Sequence, residues 1–347
     1  MSFLTTLPTH WRWLDLGDLA PVELHAAYTG VARAMGPEDA PVLLWARPDR
    51  PHLSIGASQY AAADLDLARC EALGIPVIQR PLGGGTVWVD GDQECFFFIL
   101  PRQRVPGGHR GLFDRCLGLV AHWFAATGLG VRRVGGQDLW LGTRKILGSG
   151  AASQGEALVF GASVLRHFPA RSFAECIRAP SDGFRDWLAE ALAEGMTDWR
   201  SQGIDPDTGL LQAGLRETCE GQAGWRFTDW QPDPRTRASM AEAREELAEP
   251  LDPSPGRRHV PEGIRINGLR YLLEQDRDGD WLRVLLDDGI IRRVASADPA
   301  SHAALRACQG EPAHAGRLRA VLGDALPAAR ASDLASRLEA LHASIPS

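Results

Sequence analysis

Lysine is all but missing from this chain of 347 residues: of 37 basic residues, 36 are arginine and one, Lys145, is lysine. A coding bias toward arginine explains that background wherever positive charge alone matters. The same bias would have replaced Lys145 too, unless the position needs a compact ammonium rather than a planar guanidinium. Paired cysteines are also lacking. The six cysteines, at 70, 95, 116, 176, 219 and 308, stand far apart with no CxxC, which excludes a zinc knuckle or disulfide framework and reads them as buried small apolar residues. No stretch approaches the roughly 18 apolar residues of a membrane span, and the opening MSFLTTLPTHWRWLDLGD has no basic region followed by an apolar run of signal length. A cytoplasmic location without a membrane partner is the expectation. A net charge of −7 offers no basic surplus for phosphate backbones, so nucleic acid is not expected as a partner.

What is present is ordinary globular material. Hydrophobic residues at 44% and charged residues at 23% exclude a disordered or fibrous chain, and at roughly 100 to 200 residues per domain the length suggests two. PVLLWARPDRPHLSIG (41–56) reads as two apolar strands around a turn marked by Pro48, Asp49 and Pro51. AAADLDLARCEALG (61–74) has helical spacing and a glycine stop. IPVIQR, TVWVD and ECFFFILP read as strands, with PLGGG as a loop after the first. LFDRCLGLVAHWFAATG (112–128) is an amphipathic helix, followed by the strands LGVRRVG and DLWLGTRKILGS with a hairpin turn at Gly142 and Thr143, and then by ALVFGASVLRHF (157–168). Helices are predicted around 184–194 and 206–220. Strands joined by short turns, with helices interspersed, favour α+β over a doubly wound sheet. From 228 to 258 proline-rich stretches bracket the charged helix AEAREELA, which reads as an interdomain connection. The remainder, about 259–347, reads as strands followed by helices, a small α+β unit of its own.

Three segments have the residue types for chemistry. In Gln79-Arg80-Pro81-Leu82-Gly83-Gly84-Gly85-Thr86, consecutive glycines let backbone N–H groups approach a bulky ligand. Arg80 is placed to fork onto a phosphate. The run is not GxxxxGK[ST] and no helix follows it, which excludes a P-loop; taken alone, it is equally a flexible hairpin turn. In Gln137–Gly150, Lys145 follows a hairpin and precedes the small run Gly148-Ser149-Gly150. An isolated strand lysine is ordinarily a solvated surface group, but the lysine-poor background and Asp138, seven residues upstream, weigh against that here. Asp138 either positions Lys145, helps hold a magnesium ion, or caps the turn. Phe160-Gly161-Ala162-Ser163-Val164-Leu165, alone, is a buried strand.

Together these segments resemble the lipoate–protein ligase A family of the biotin and lipoate ligase group. RPLGGGTVWVD is similar to the family's arginine, triple-glycine, strand and aspartate signature; QDLWLGTRKILGSGA to its Asn-Asp, strand, Lys-Ile-x-Gly-Ser-Ala segment; and FGASVL stands at its His-Gly-Thr-Leu-Leu. Order and spacing match, as does LLWARPDRPHLSIGASQ ahead of the loop, and the resemblance covers residues 10–220. It implies an α+β fold: a biotin/lipoate ligase-like catalytic domain over residues 1–250, with a mixed, largely antiparallel sheet and flanking helices, and a small α+β accessory domain over 255–347. It implies ATP and Mg2+ as cofactors, lipoate or octanoate as the acid, an acyl-adenylate intermediate, and a lysine of a lipoyl-domain protein as acceptor. Arg80, Gly83, Gly84, Gly85, Thr86, Val87, Trp88, Asp138, Gly148 and Ser149 would hold ATP and the adenylate. Lys145 would contact both acid and nucleotide as the catalytic residue, Gly161 and Ala162 would line the acyl chain, and Asp138 would be the magnesium ligand.

The chain departs from that pattern at Val89 and Phe160, where the family has histidines, and at Gln137, where it has asparagine. Each replacement removes a polar handle and bears on acid and acceptor choice. Two further readings remain at this level. One is a transferase of the same fold that carries the acyl group on a cysteine without ATP; the place of that cysteine is held by Pro180 and Ser181, with Cys176 displaced by several residues. The other is a binding module that shields a lipoylated partner. A biotin ligase fits less well, because its regulatory type carries a DNA-binding domain ahead of the catalytic unit.

Overall fold

A computed structural model describes residues 7–346. The chain divides into two compact units, the first made of the residues to Ala62, Leu67–Phe168 and Met196–Pro255, the second of Ala63–Asp66, Pro169–Gly195 and the residues from Gly256.

The first unit is built on β1 (His10–Leu19), β2 (Val42–Pro48), β3 (His52–Ile55), β4 (Val77–Gln79), β5 (Val87–Val89), β6 (Gln93–Pro101), β7 (Arg132–Val134), β8 (Asp138–Leu141), β9 (Arg144–Gln154), β10 (Ala157–Leu165) and β11 (Arg226–Asp229). Eight of these form one sheet in the order β11-β1-β2-β6-β10-β9-β8-β7, and β4-β3-β5 form a second. In the large sheet β1 runs parallel to both β11 and β2, and the other pairings are antiparallel. This is the mixed, largely antiparallel α+β architecture expected. The two runs of 41–56 are strands, but of different sheets.

Alternation along the strands splits the core in two. Trp45, Phe96, Phe98, Phe160, Ile146 and Leu147 face the helices Gly108–Ala126 and Thr208–Ala223 in one cluster. Leu44, Phe97, Ile99 and Val159 face the helix Pro21–Ala34 in another, which also takes in Leu82 and Val89. Each large apolar side chain removed from water contributes roughly 1.5–3 kcal/mol before entropy is counted. Val89 and Phe160, at 6% and 0% exposure, are therefore packing residues here; a polar ring in either place would need a hydrogen-bond partner.

The segment 228–258 differs from its reading as a connection. Its helix Pro234–Leu247, capped by Asp233 accepting from the Thr236 N–H at 2.8 Å, packs in the first unit against Pro21–Ala34. The approach is close enough that a Cβ on Gly30 would stand 2.3 Å from the Met240 Cα. Beyond this helix, residues 248–262 lack regular structure.

The second unit is a four-stranded antiparallel sheet, β12 (Gly263–Arg265), β13 (Arg270–Gln275), β14 (Leu282–Asp287) and β15 (Ile290–Ser296) in sequential order, followed by the helices Pro299–Leu305, Ala315–Gly323 and Ala328–Ala343. Leu273, Val284, Leu305, Leu318, Leu334 and Leu338 form its core. The chain from Gly256 onward does not make this unit alone. Arg283 pairs with Glu274 and donates to the Ser181 Oγ at 2.9 Å, Arg185 reaches Asp66 at 3.1 Å, and Arg258 donates to the Ala63 carbonyl at 2.9 Å. Ion pairs and turns between segments far apart in sequence leave no periodic trace, so a boundary drawn on composition does not include 63–66 and 169–195.

A candidate active site over a glycine floor

The site begins with a bulge. Between β8 and β9 the ladder pairs Asp138 with Gly148 and Leu139 with Leu147, then slips so that Trp140 pairs with Lys145. The extra residue lets Ile146 and Leu147, adjacent in sequence, both enter the aromatic core at 0% exposure. A regular strand would send Lys145 and Gly148 to opposite faces; the bulge returns them to one. Asp138, opposite Gly148, shares that face, and its Oδ1 lies 2.9 Å from the Lys145 Nζ. The side chains are 22% and 18% exposed, open enough for a ligand and shielded enough that the pair is not a surface contact screened to insignificance.

The bare backbone of Gly148 makes room for the amine: a Cβ there would stand 2.9 Å from the Lys145 Nζ. Along the same face Gly150 pairs with Gly161, and Gly161 with Phe97. A Cβ on Gly150 would lie 2.9 Å from the Gly83 carbonyl oxygen. Glycines of the floor therefore meet glycines of the loop, which is why the triple-glycine run and the lysine segment, some 60 residues apart, converge.

The loop is held from behind. Arg80, 8% exposed, donates through Nη1 to the Ser54 carbonyl at 2.6 Å and through Nη2 to the carbonyls of Gly83 at 3.1 Å and Gly85 at 2.7 Å. Both terminal nitrogens of Arg80, expected to fork onto a phosphate, donate here to backbone carbonyls. Burial pushes the guanidinium below its ordinary range, offset by nearby Tyr28.

Other expected site residues divide. Gly83, Gly84, Gly85 and Val87 are exposed and Thr86 is half-buried, taking a hydrogen bond from the Gln59 amide at 3.2 Å. Trp88 is buried, with its indole N–H on Asp90 at 2.6 Å and its carbonyl taken by Gln93 at 2.6 Å. Ser149 lies on the opposite face from Gly148, its hydroxyl donating to the Gln137 carbonyl at 2.5 Å. Ala162, expected to line the acyl chain, is paired with Ser149, shares that other face and packs in the aromatic core. The space over Gly161 is filled by Phe97 and Leu82, atoms of which would lie 2.9–3.0 Å from a Cβ there.

Sequence reasoning missed Ser54, Gly56 and Gln59. The Gln59 side chain accepts from the Gly56 N–H at 2.8 Å, and a Cβ on Gly56 would stand 2.0 Å from the Gly84 carbonyl oxygen. Their signal is the small-residue run SIGAS directly after a strand. Beside them His25 and His52 share a hydrogen-bond contact of 3.2 Å, both buried, and burial depresses both: His25 well below its ordinary range and His52 to about 4.

For metal, no group of three or more His, Cys, Asp or Glu side chains gathers among the described residues. Asp138 offers one carboxylate, which suits an ion carried mainly by substrate phosphates and not a protein cage. No helix among the described residues is long and apolar enough to cross a membrane.

Residues 26–205 match the lipoyl protein ligase A/B catalytic domain. Among curated relatives, lipoate-protein ligase A subunit 1 of Thermoplasma acidophilum is 27% identical over 60% of this chain and 80% of its own. Octanoyltransferase LipM of Carboxydothermus hydrogenoformans is 36% identical over 22% of this chain and 29% of its own. Among solved structures, a bi-partite lipoate protein ligase studied with its E2 lipoyl domain, from Thermoplasma acidophilum, superposes with a TM-score of 0.63 at 21% identity, covering 69% of this chain and 93% of that one. Lipoate-protein ligase A bound with ATP gives 0.59 at 19%, covering 68% and 95%. At these identities the superpositions establish the fold.

Proposed function

We propose that this chain, which belongs to the lipoyl protein ligase A/B catalytic-domain family, is an ATP-dependent ligase that activates lipoate or octanoate as an acyl-adenylate and passes it to a lysine of a lipoyl-domain protein. The observation that carries this reading is the Lys145–Asp138 pair at 2.9 Å on a face kept bare by glycines. Attack of a carboxylate on the α-phosphate brings two anions together and spreads negative charge over phosphoryl oxygens. A fixed ammonium at that point offsets the repulsion and stabilises the transition state without reorganising. Asp138 orients the amine before substrate arrives. Magnesium, delivered with the nucleotide, would shield the departing pyrophosphate, with Asp138 as its one protein ligand. Transfer then needs a neutral acceptor lysine to attack the mixed anhydride, releasing AMP. The relative solved with ATP and the one studied with its lipoyl domain support the same nucleotide and acceptor.

A cysteine-based acyl transfer is the second reading, favoured by the local likeness to octanoyltransferase LipM. All six cysteines are buried, and burial pushes the thiols of Cys95, Cys116 and Cys219 upward, away from the thiolate such a route requires. Pyrophosphate exchange into ATP in the presence of lipoate or octanoate separates the two. The ligase gives acid-dependent exchange; no exchange, with ATP-free transfer from an acyl thioester, replaces it with the transferase.

A further inference from the structure

The proposed transfer step leaves one role without a residue. When a neutral lysine attacks the mixed anhydride its nitrogen becomes cationic, and a base must take that proton for the amide to form. Lys145 cannot serve, because it acts as the ammonium of the site, paired with Asp138 at 2.9 Å. His167, two residues past the end of β10, has a side chain 52% exposed, and its Nδ1 lies 3.5 Å from the Asp198 Oδ2. The backbone brings this pair to the lysine strand. The Thr197 N–H donates to the Lys145 carbonyl at 2.9 Å, and Met196 bridges to Lys145 as a parallel neighbour. Asp198 follows Thr197 by one peptide unit, about 3.8 Å. The Trp199 and Arg200 N–H groups then bond the carbonyls of Leu165 and Arg166, at 2.9 and 3.0 Å, which seats His167 beside Asp198. The carboxylate is fixed independently of the imidazole: Oδ1 accepts from the Ser201 N–H at 2.8 Å and Oδ2 from the Phe168 N–H at 3.0 Å. A fixed carboxylate at Nδ1 keeps the proton on that nitrogen and leaves the Nε2 lone pair to act. Asp90, directly after β5, the strand that leaves the glycine loop, also acts on the ring; burial pushes its carboxyl up, and His167 is among the groups that draw it back. The neighbouring Arg166 and Arg200 are taken up by Glu94, Asp205 and Asp92.

We infer that His167 is the general base of the transfer step, taking the proton of the attacking acceptor lysine on Nε2, with Asp198 as the positioning residue that orients it. The inference rests on the proposed ligase reading for the identity of the acyl donor. In this step the lysine nitrogen forms the C–N bond, and the C–O bond to the phosphate breaks with its electron pair on AMP. The proton moves from nitrogen to Nε2 and then from the exposed ring to solvent. Joining a carboxylate to the α-phosphate releases no proton that a base must collect, so the two half-reactions respond differently to loss of the imidazole.

The test uses the full chain with preformed octanoyl-AMP and a lipoyl-domain acceptor, followed in single turnovers, beside pyrophosphate exchange. His167→Gln is expected to slow transfer about 100-fold, the lower end for a positioned acid–base group, and to depress transfer at least about tenfold more than exchange. On the acid side of the pH profile, wild-type transfer should depend on one more proton than the glutamine variant does, because base and acceptor lysine must both be deprotonated in the first and only the lysine in the second. Added imidazole should restore part of the transfer rate in His167→Ala. Asp198→Asn is expected to slow transfer about tenfold, the scale of one charged hydrogen bond, and to keep the extra proton in the profile. Transfer within about threefold of wild type in His167→Gln, less than a single hydrogen bond is worth, overturns the inference. So does the same proton dependence in both proteins, or a loss that saturating acceptor abolishes, which would make His167 a docking contact. If the histidine variants fail to fold, Asp198→Asn decides: a loss of transfer that exceeds the loss of exchange supports the pair, and unchanged transfer overturns it. A wild-type chain that transfers nothing from octanoyl-AMP also overturns it. One that transfers with these His167 effects but exchanges no pyrophosphate defeats the ligase reading and leaves the base assigned.

Discussion

The two faces of the large sheet are built by opposite rules. On one, Phe96, Phe98 and Phe160 meet Trp11, Trp45 and Trp225 in a chain of stacked and edge-on rings. On the other, toward β7, side chains are withdrawn: Gly148 and Gly150 leave their backbone bare to one amine and a loop, and Gly161 beside them makes room for Phe97 and Leu82. The same strands, β9 and β10, supply both. Burial of large rings fixes the sheet firmly enough that the opposite face can be stripped for binding, so stability and chemistry are carried by alternate residues a few ångströms apart.

That contrast can be broken in several ways. Phe160→Ala is expected to have the largest effect on stability, about 3–5 kcal/mol in urea unfolding, the cost of deleting a buried ring and leaving a cavity. A loss of activity with unchanged stability would reverse the roles of the faces. Gly148→Ala sharpens the opposite side. Its added methyl displaces only the flexible end of Lys145, so the melting temperature should hold while pyrophosphate exchange falls about 10- to 100-fold, the penalty for misplacing a reacting group by about an ångström.

Acid supplies a third probe. His25 and His52 are held below the ordinary histidine range in the folded state, so the unfolded chain takes up their protons first. The stability they leave intact above about pH 6.5 is lost as pH falls toward 4, at up to about 1.4 kcal/mol per pH unit for each group. Unfolding followed at pH 7.5 and 5 should register a loss of roughly 2 kcal/mol from His52 alone, and His52→Gln should flatten the profile. An equally steep profile in that variant would place the acid sensitivity elsewhere. Asp138→Asn should have the smallest of these effects, about a tenfold loss of exchange through poorer orientation of the amine, with ATP-dependent protection against unfolding retained.

Much of this site is legible in the sequence, and what is not has identifiable causes. A solitary lysine in an arginine-rich chain and a triple glycine between strands both point to chemistry before any coordinates. The bulge at Ile146 is invisible, because Lys-Ile-Leu-Gly reads equally well as a regular strand; only the pairing with β8 sets which face Lys145 occupies. The direction of Arg80 is likewise set by Ser54, 26 residues upstream. The helix Pro21–Ala34 goes unmarked because it is buried nearly all round, so it has no polar stripe to show its period. The pairing of β1 with β11 joins residues about 216 apart, beyond the reach of any local pattern.

The central claim is that one ammonium, brought by a bulge to the glycine face, supports adenylate formation. Acid-dependent pyrophosphate exchange, measured for the wild-type chain and for Lys145→Met and Lys145→Arg, tests it most directly. The expected result is exchange in the wild type and a loss of about 100- to 1,000-fold in the methionine variant, the scale of removing one preorganised charge. The arginine variant is expected to be severely impaired as well, since a planar fork does not reproduce the point contact. Exchange within about threefold of wild type in both folded variants, less than a single hydrogen bond is worth, would contradict it.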